Sequence, residues 1–289
     1  MLHANVDGDI IKYSCGFACQ KAVFLSEDGH SFLFERQANG MKVTCIETGD
    51  VTKHEGLFTK NDIMKLYGGD WSEEVRPEPV HHVLHTVKRL LNSILSSVGA
   101  DSYTVYLSKG DCYRVGVYPD YKANRLSMPK PHHIKTIEDY LVQQQGAIVC
   151  TEIEADDAMG IHQYQSLKRG ENTVICSLDK DLDMIPGLHY NWTKKQIYFV
   201  TEEQGIHNFW RQMLTGDAVD NIPGIAGIGP KTALKIIDGC DDYQATVMEQ
   251  YTEHGFSREE FERNAQLLWI LRKSLEETYG KSYQDFFTR

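Results

Sequence analysis

No stretch of this 289-residue chain approaches the roughly 20 consecutive apolar residues that a membrane-spanning helix needs, so the sequence predicts a soluble protein. Its first residues, Met1 to Asp7, carry no basic run followed by an apolar one, which predicts a cytoplasmic rather than a secreted setting. The seven cysteines are odd in number, scattered, and never spaced as paired Cys-x-x-Cys knuckles. That pattern argues for reduced thiols and against a disulfide framework or structural zinc. Positive charge is also short: 30 lysines and arginines face 41 aspartates and glutamates, a net charge of −11. A uniformly basic surface is thereby excluded. A basic track remains open only if many of the acids are gathered in one cluster whose bound cations reverse the local field.

The residues that are present read as α/β. Asn5–Ile11 resembles a short strand running into a turn. Val23–Leu25, Phe32–Phe34 and Val43–Ile46, separated by Asp28-Gly29 and Asn39-Gly40, read as hairpin-linked strands of an insert near 20–80. Apolar Val83, Leu84, Val87, Leu90, Leu91, Ile94 and Leu95 trace one helical stripe over 81–98, followed by a strand at 103–107. Helix 133–145 precedes strand 147–150, and helix 155–168 precedes strand 173–177, an alternation that predicts a mainly parallel central sheet. From Thr201 the pattern turns helical, with capping boxes at Thr201–Gln204 and Ser257–Glu260 and a helix opening at Gly229-Pro230. We therefore expect a body over 1–200 and a smaller helical module over 201–289.

In an open parallel sheet, functional groups collect beyond the carboxyl ends of the strands. Here Asp7 and Asp9 follow the first strand, Glu152, Glu154, Asp156 and Asp157 follow 147–150, and Asp179, Asp181 and Asp183 follow 173–177. Asp217 and Asp220 join from a turn after a helix. A single strand-end acid is more often a cap or a turn former, but groups from independent strand ends are harder to dismiss. So many carboxylates in one pocket would raise one another's pKa unless cations neutralised them, which points to Mg²⁺ or Mn²⁺ held by oxygen ligands. His81 and His85 lie at i, i+4 spacing but lack a third ligand, and a solvated helix face explains them better.

Two further segments bear on phosphate. Tyr121-Lys122-Ala123-Asn124-Arg125, preceded by Arg114, would present Lys122 and Arg125 on one helical face, although a solvated basic turn is the simpler reading in isolation. In the run from Asp217 to Ala233, glycines at 224, 227 and 229 allow backbone amides to approach a phosphate, and Lys231 and Thr232 open the next helix. Gly-rich turns between packed helices are common, but Gly-Ile-Gly-Pro-Lys-Thr-Ala is a rather specific helix-hairpin-helix spelling.

Together, Val6-Asp7-Gly8, Tyr121–Arg125, Glu154-Ala155-Asp156-Asp157, Ser177–Asp181 and Gly216–Gly224 resemble the flap endonuclease and 5′-to-3′ exonuclease family, particularly small phage exonucleases and the 5′-nuclease domain of bacterial DNA polymerase I. The resemblance covers about residues 1–11 and 103–240. It implies a PIN-like 5′-nuclease fold with a C-terminal helix-hairpin-helix module and two-metal hydrolysis of DNA near 5′ ends, flaps or branches. RNA–DNA hybrid is a further substrate in replication or primer removal. On this reading Asp7, Glu154, Asp156 and Asp179 surround the first metal with Asp157 nearby, and Asp181, Asp217 and Asp220 serve the second. Lys122 and Arg125 contact the scissile phosphate, and Tyr121 stacks on an unpaired base. Arg114, Gly224, Gly227, Gly229, Lys231 and Thr232 touch the DNA, with K⁺ at the hairpin in some relatives. A phage origin would make the setting the host cytoplasm.

Two departures stand out. Asp111 follows its strand too late for the acid many relatives carry there, and Pro129 and Pro131 interrupt the stretch available for a threading arch. Two rivals remain open: a haloacid-dehalogenase-like phosphatase using Asp7-Gly8-Asp9, and a DNA-structure-binding protein without turnover.

Overall fold

The computed structural model describes residues 1–280. In chain order its main elements are β1 (Leu2–Asp7), α1 (Gly8–Ala18), β2 (Gln20–Ser26), β3 (Ser31–Gln37), β4 (Gly40–Cys45), β5 (Val51–Glu55), α2 (Lys60–Tyr67), β6 (Trp71–Pro77), α3 (Val80–Val98) and β7 (Ser102–Ser108). There follow α4 (Tyr113–Val117), α5 (Ile134–Gln145), β8 (Ile148–Cys150), α6 (Ala155–Lys168), β9 (Asn172–Cys176), β10 (Gly187–Asn191) and β11 (Gln196–Val200). The last are helices α7 (Glu202–Thr215), α8 (Pro230–Ile237), α9 (Tyr243–Glu253), α10 (Arg258–Leu268) and α11 (Leu275–Tyr279). The chain forms two compact units, one from 1–11, 88–129 and 138 onward, the other from 12–87 and 130–137.

The first unit carries a six-stranded sheet in the order β11-β10-β9-β1-β7-β8, parallel throughout except for β11. This is the mainly parallel α/β sheet expected. β1 is central, and its last four residues, Ala4 to Asp7, are all buried. Parallel strands covered on both faces need apolar residues at successive positions rather than at alternate ones, and Val105–Leu107 and Val174–Cys176 supply them. A large apolar core joins sheet and C-terminal helices, from Met159, Ile175 and Leu182 to Met213, Ile237 and Tyr251. The predicted boxes at Thr201 and Ser257 cap α7 and α10.

Several elements of this sequence were not foreseen, among them β5, α2, β6, α4, α9 and α11. The turn expected after Asp7 is instead the start of α1, with the Asp7 Oδ1 accepting the Ile10 N–H at 3.0 Å as a helix cap would. Gly8 allows that immediate strand-to-helix change, because a Cβ there would stand 2.6 Å from the Tyr106 carbonyl oxygen. The hairpin β10–β11 was also missed.

The second unit is an antiparallel five-stranded sheet in the order β5-β4-β3-β2-β6, which includes the three predicted strands. Met41, Val43 and Ile63 of α2 form its small core, with Phe32, Phe34 and Leu57 against it. Among the described residues, no helix is long and apolar enough to cross a membrane.

Candidate active site

The register of the parallel strands brings Asp7 level with Tyr106, and Val6 level with Cys176, so β1 and β9 end side by side. Asp7 leaves β1, Ser177 and Asp179 follow β9, and Glu154 and Asp156 lie at the start of α6 after β8. Asp7 is 2 % exposed, and its Oδ2 accepts the Ser177 hydroxyl at 2.7 Å. Burial, then the charges of Asp9 and Asp179, hold its carboxyl at about 7, against two hydrogen bonds that pull the other way. Burial and the charges of Asp7 and Asp179 likewise push Asp156 well above the carboxylate range. Asp181 rises to about 7 through burial and the charges of Asp179 and Asp217. These acids therefore form one electrostatic set running from β1 to the 217–220 turn. Their oxygens stand apart, since among the described residues no three of them gather within 4.8 Å.

Cations enter the set from one side. Lys122, in the left-handed region at φ 57°, directs its Nζ to Glu154 Oε1 at 2.5 Å and to Asp220 Oδ2 at 3.4 Å. Burial opposes a charged lysine there, but Glu154 and Asp220 outweigh it and raise its pKa. Glu154 is driven the other way, to about 2, because Lys122 and Arg114 overcome its burial. Burial raises Asp220, against the pull of Lys122 and Arg125. Arg125 pairs with Asp220 through a guanidinium nitrogen and donates from Nε to the Val219 carbonyl at 3.1 Å. The helix expected over 121–125 is only a 3₁₀ turn, Ala123–Arg125, yet both cations reach the acids.

Three expected roles do not fit the geometry. Arg114 is 3 % exposed, forked onto Asp157 at 2.5 and 2.8 Å, and donates to the carbonyls of Leu267 and Trp269, so it does not face a ligand. Asp157 is fully buried, and besides Arg114 its oxygens accept the Leu271 and Glu154 N–H groups, so they are not open to a metal. Tyr121 is buried rather than free to stack on a base, and its hydroxyl donates to Glu154 at 2.8 Å and Asp220 at 3.1 Å. The residue of this cluster that sequence reasoning missed is Ser177, a hydroxyl between Asp7 and the Asp179 N–H, which donates to the Ser177 Oγ at 3.0 Å. Only its place before Asp179 signalled it. Asp111 is exposed, whereas Asp9 accepts the Ser108 N–H at the end of β7 at 2.9 Å.

Between α7 and α8 the chain makes a tight turn closed by an Asp217–Ile222 bridge. Ile222, Ile225 and Ile228 anchor it in the core, while Gly227, Gly229, Lys231 and Thr232 are exposed beside the N-terminus of α8. Gly224 is tucked against the end of α7, where a Cβ would meet the Thr215 backbone at 2.1 Å.

Residues 72–208 match the model of the 5′-3′ exonuclease N-terminal, resolvase-like domain. That span includes Lys122, Arg125, Glu154, Asp156, Asp179 and Asp181, but not Asp7, Asp217 or Asp220. The chain is 36% identical to DNA polymerase I of Rhizobium leguminosarum over 162 residues, which are 49% of this chain and 15% of that one. It is 31% identical to the flap endonuclease Xni of Shewanella sp. strain W3-18-1 over 136 residues, 43% of this chain and 52% of the relative. It thus spans about half or less of the length of these relatives. Among solved structures, a bacteriophage T5 flap endonuclease in a complex with DNA and metal ions matches with a TM-score of 0.52 and 17% identity, over 71% of this chain and 88% of that one. That likeness establishes a shared fold. Residues 72–208 are thus similar to the N-terminal domain of 5′-3′ exonucleases.

Proposed function

We propose that this chain is a structure-dependent 5′-to-3′ exonuclease or flap endonuclease that hydrolyses phosphodiester bonds of DNA near 5′ ends, flaps or branches. RNA–DNA hybrid is a second substrate of the same chemistry, and primer removal in replication, in the cytoplasm, is the setting. The observation that carries the reading is the convergence of Asp7, Asp156, Asp179 and Asp181 on one electrostatic set bordered by Lys122 and Arg125.

The donor set fits hard divalent ions: it is all oxygen, and its members raise one another's proton affinity in a way that a cation would relieve. Asp7, Asp156 and Asp179 would hold one ion with Glu154 beside it, and Asp181, Asp217 and Asp220 a second. Such ions, Mg²⁺ or Mn²⁺, supply an activated water and neutralise charge on the leaving oxygen. The chain's own work is positional. Ser177 and the Ile10 N–H orient Asp7, and Tyr121 orients Glu154 and Asp220. Lys122 and Arg125 offer cationic hydrogen bonds to the phosphate as its charge develops, once they exchange Glu154 and Asp220 for it. Gly224, Gly227, Gly229, Lys231 and Thr232, in a helical module over 201–289, would hold the duplex backbone, with K⁺ at the turn as a companion ion.

The test is cleavage of end-labelled linear duplex and 5′-flap DNA, with Mg²⁺ or with chelator, by wild type, Asp179→Ala and Lys122→Ala, all first shown folded. Metal-dependent cutting lost in both variants, with DNA binding kept, supports the proposal. Folded wild type that cuts neither substrate with any divalent ion would overturn it.

A further inference from the structure

The antiparallel unit holds a second group of donors, different in kind from the acids. His30 ends the turn between β2 and β3, Cys45 closes β4, and Glu47 stands in the turn toward β5. The pairing of β3 with β4 explains why they meet. Phe32 lies opposite Cys45, and the Ile46 N–H donates to the Ser31 carbonyl at 2.8 Å, so continuing the register sets His30 across from Glu47. One ligand atom from each of the three residues lies within 4.8 Å of the other two.

We propose that His30, Cys45 and Glu47 bind one borderline divalent cation of the zinc class, which staples the β2–β3 turn to the β4–β5 turn. An imidazole, a thiolate and a carboxylate form a mixed donor set that suits zinc or cobalt and not magnesium or calcium. The spacing agrees. Cys45 Sγ and Glu47 Oε2 are 3.5 Å apart, and a tetrahedral ion with sulfur at ~2.3 Å and oxygen at ~2.1 Å would hold them ~3.6 Å apart.

Little ordering is needed on binding, because the turns are already fixed. The Gly29 N–H donates to the Ser26 carbonyl at 2.9 Å and the Gly49 N–H to the Cys45 carbonyl at 3.0 Å. The Ser31 N–H donates to Glu47 Oε2 at 2.9 Å, orienting the carboxylate from the opposite turn as an outer-shell partner does. His30 and Glu47 are exposed and Cys45 is half-buried, so water completes the fourth position and the ion enters from solvent. Scattered cysteines without paired knuckles had argued against structural zinc, but here the fold assembles ligands from two turns.

The experiment is a Co²⁺ titration of the full chain with Mg²⁺ in excess, so that the oxygen-only acids are occupied. The expected result is one equivalent of Co²⁺ with a thiolate-to-cobalt charge-transfer band that Zn²⁺ bleaches. Cys45→Ser and His30→Ala should abolish the band and weaken Zn²⁺ binding by about ten-fold or more, whereas Asp156→Asn keeps both. Far-UV circular dichroism of each metal-free variant checks its fold, and Glu47→Gln replaces any variant that fails it. A Zn²⁺-induced rise in Tm should appear in wild type and vanish in the ligand variants. A wild type without the band, or Cys45→Ser and His30→Ala variants that retain it, would overturn the proposal, and neither outcome bears on cleavage at the acids.

Discussion

Arg114→Ala should lower the unfolding free energy by about 4 kcal/mol and leave the salt dependence of DNA binding unchanged. The guanidinium is 3 % exposed and makes a two-pronged pair with Asp157, which is itself fully buried. Removing one partner of such a pair leaves a buried charge without compensation, typically at a loss of about 3–5 kcal/mol. The carbonyls of Leu267 and Trp269 would also lose their donors, although the Leu271 and Glu154 N–H groups would still reach Asp157. Arg114→Lys restores charge but not the fork, so about half the loss should remain. Urea unfolding followed by circular dichroism gives the stability term, and DNA affinity at several salt concentrations gives the slope. A phosphate contact would reverse the pattern: stability within about 0.5 kcal/mol of wild type, and a salt slope reduced by about 0.9. That result would refute the assignment of Arg114 to the interior.

The acids make the metal-free protein sensitive to pH. Asp7 is held at about 7 rather than 3.8, so its contribution to stability is fully present below its unfolded value and lost as pH rises through about 7. Ionised at pH 8 in chelator, it opposes the fold by on the order of 4 kcal/mol before relaxation. Asp7→Asn should therefore raise Tm in chelator at pH 8, by about 5 °C, with the gain shrinking at pH 5 or with a divalent ion added; an unchanged or lower Tm in chelator counts against the electrostatic account. Tyr121→Phe keeps the buried ring but removes two hydrogen bonds to carboxylates, and should slow turnover about ten-fold with DNA affinity intact. A matching fall in affinity would mean that the hydroxyl serves DNA binding rather than the orientation of Glu154 and Asp220. Gly224→Ala should destabilise by about 2–3 kcal/mol because its Cβ would strike the Thr215 backbone, whereas Gly229→Ala, with open space around it, should change stability by about 1 kcal/mol or less. Equal effects in thermal unfolding would contradict that contrast.

Much of the sheet was legible because parallel strands covered on both faces need apolar residues at successive positions, and Val105–Leu107 and Val174–Cys176 supply them. The strand-end position of Asp179 followed from that reading, whereas Asp156 was placed by the run Ala147–Cys150 and Asp7 by a weaker first-strand signal. Side-chain direction did not. Arg114 turns inward because the segment 267–271 supplies two carbonyls and an N–H to the Arg114–Asp157 pair, partners about 150 residues away that no local pattern reveals. Helix α1 was hidden by Gly8 and Gly16, poor helix formers held there by close packing against Tyr106 and Pro131. The β10–β11 hairpin was obscured by its connection: Asn191-Trp192-Thr193-Lys194-Lys195 lacks a glycine, and Lys195 takes the left-handed conformation instead.

The loop that bears the cations is fastened to the turn that bears Asp220. The Lys122 N–H donates to the Asp220 carbonyl, Asn124 donates to the carbonyls of Ala218 and Val219, and Asn221, itself left-handed, donates to the Asp120 carbonyl. One of these ties joins main chain to main chain and the others run from asparagine side chains to main-chain carbonyls, so the two segments are held together while the charged ends of Lys122 and Arg125 pair with Glu154 and Asp220. Any duplex that presses on residues 224–232 would therefore carry its displacement straight to the cations, with no intervening joint to absorb it. Grip and chemistry would share a single mechanical input, and a substrate too short to reach the turn would be bound at the acids yet left without the push that aligns them.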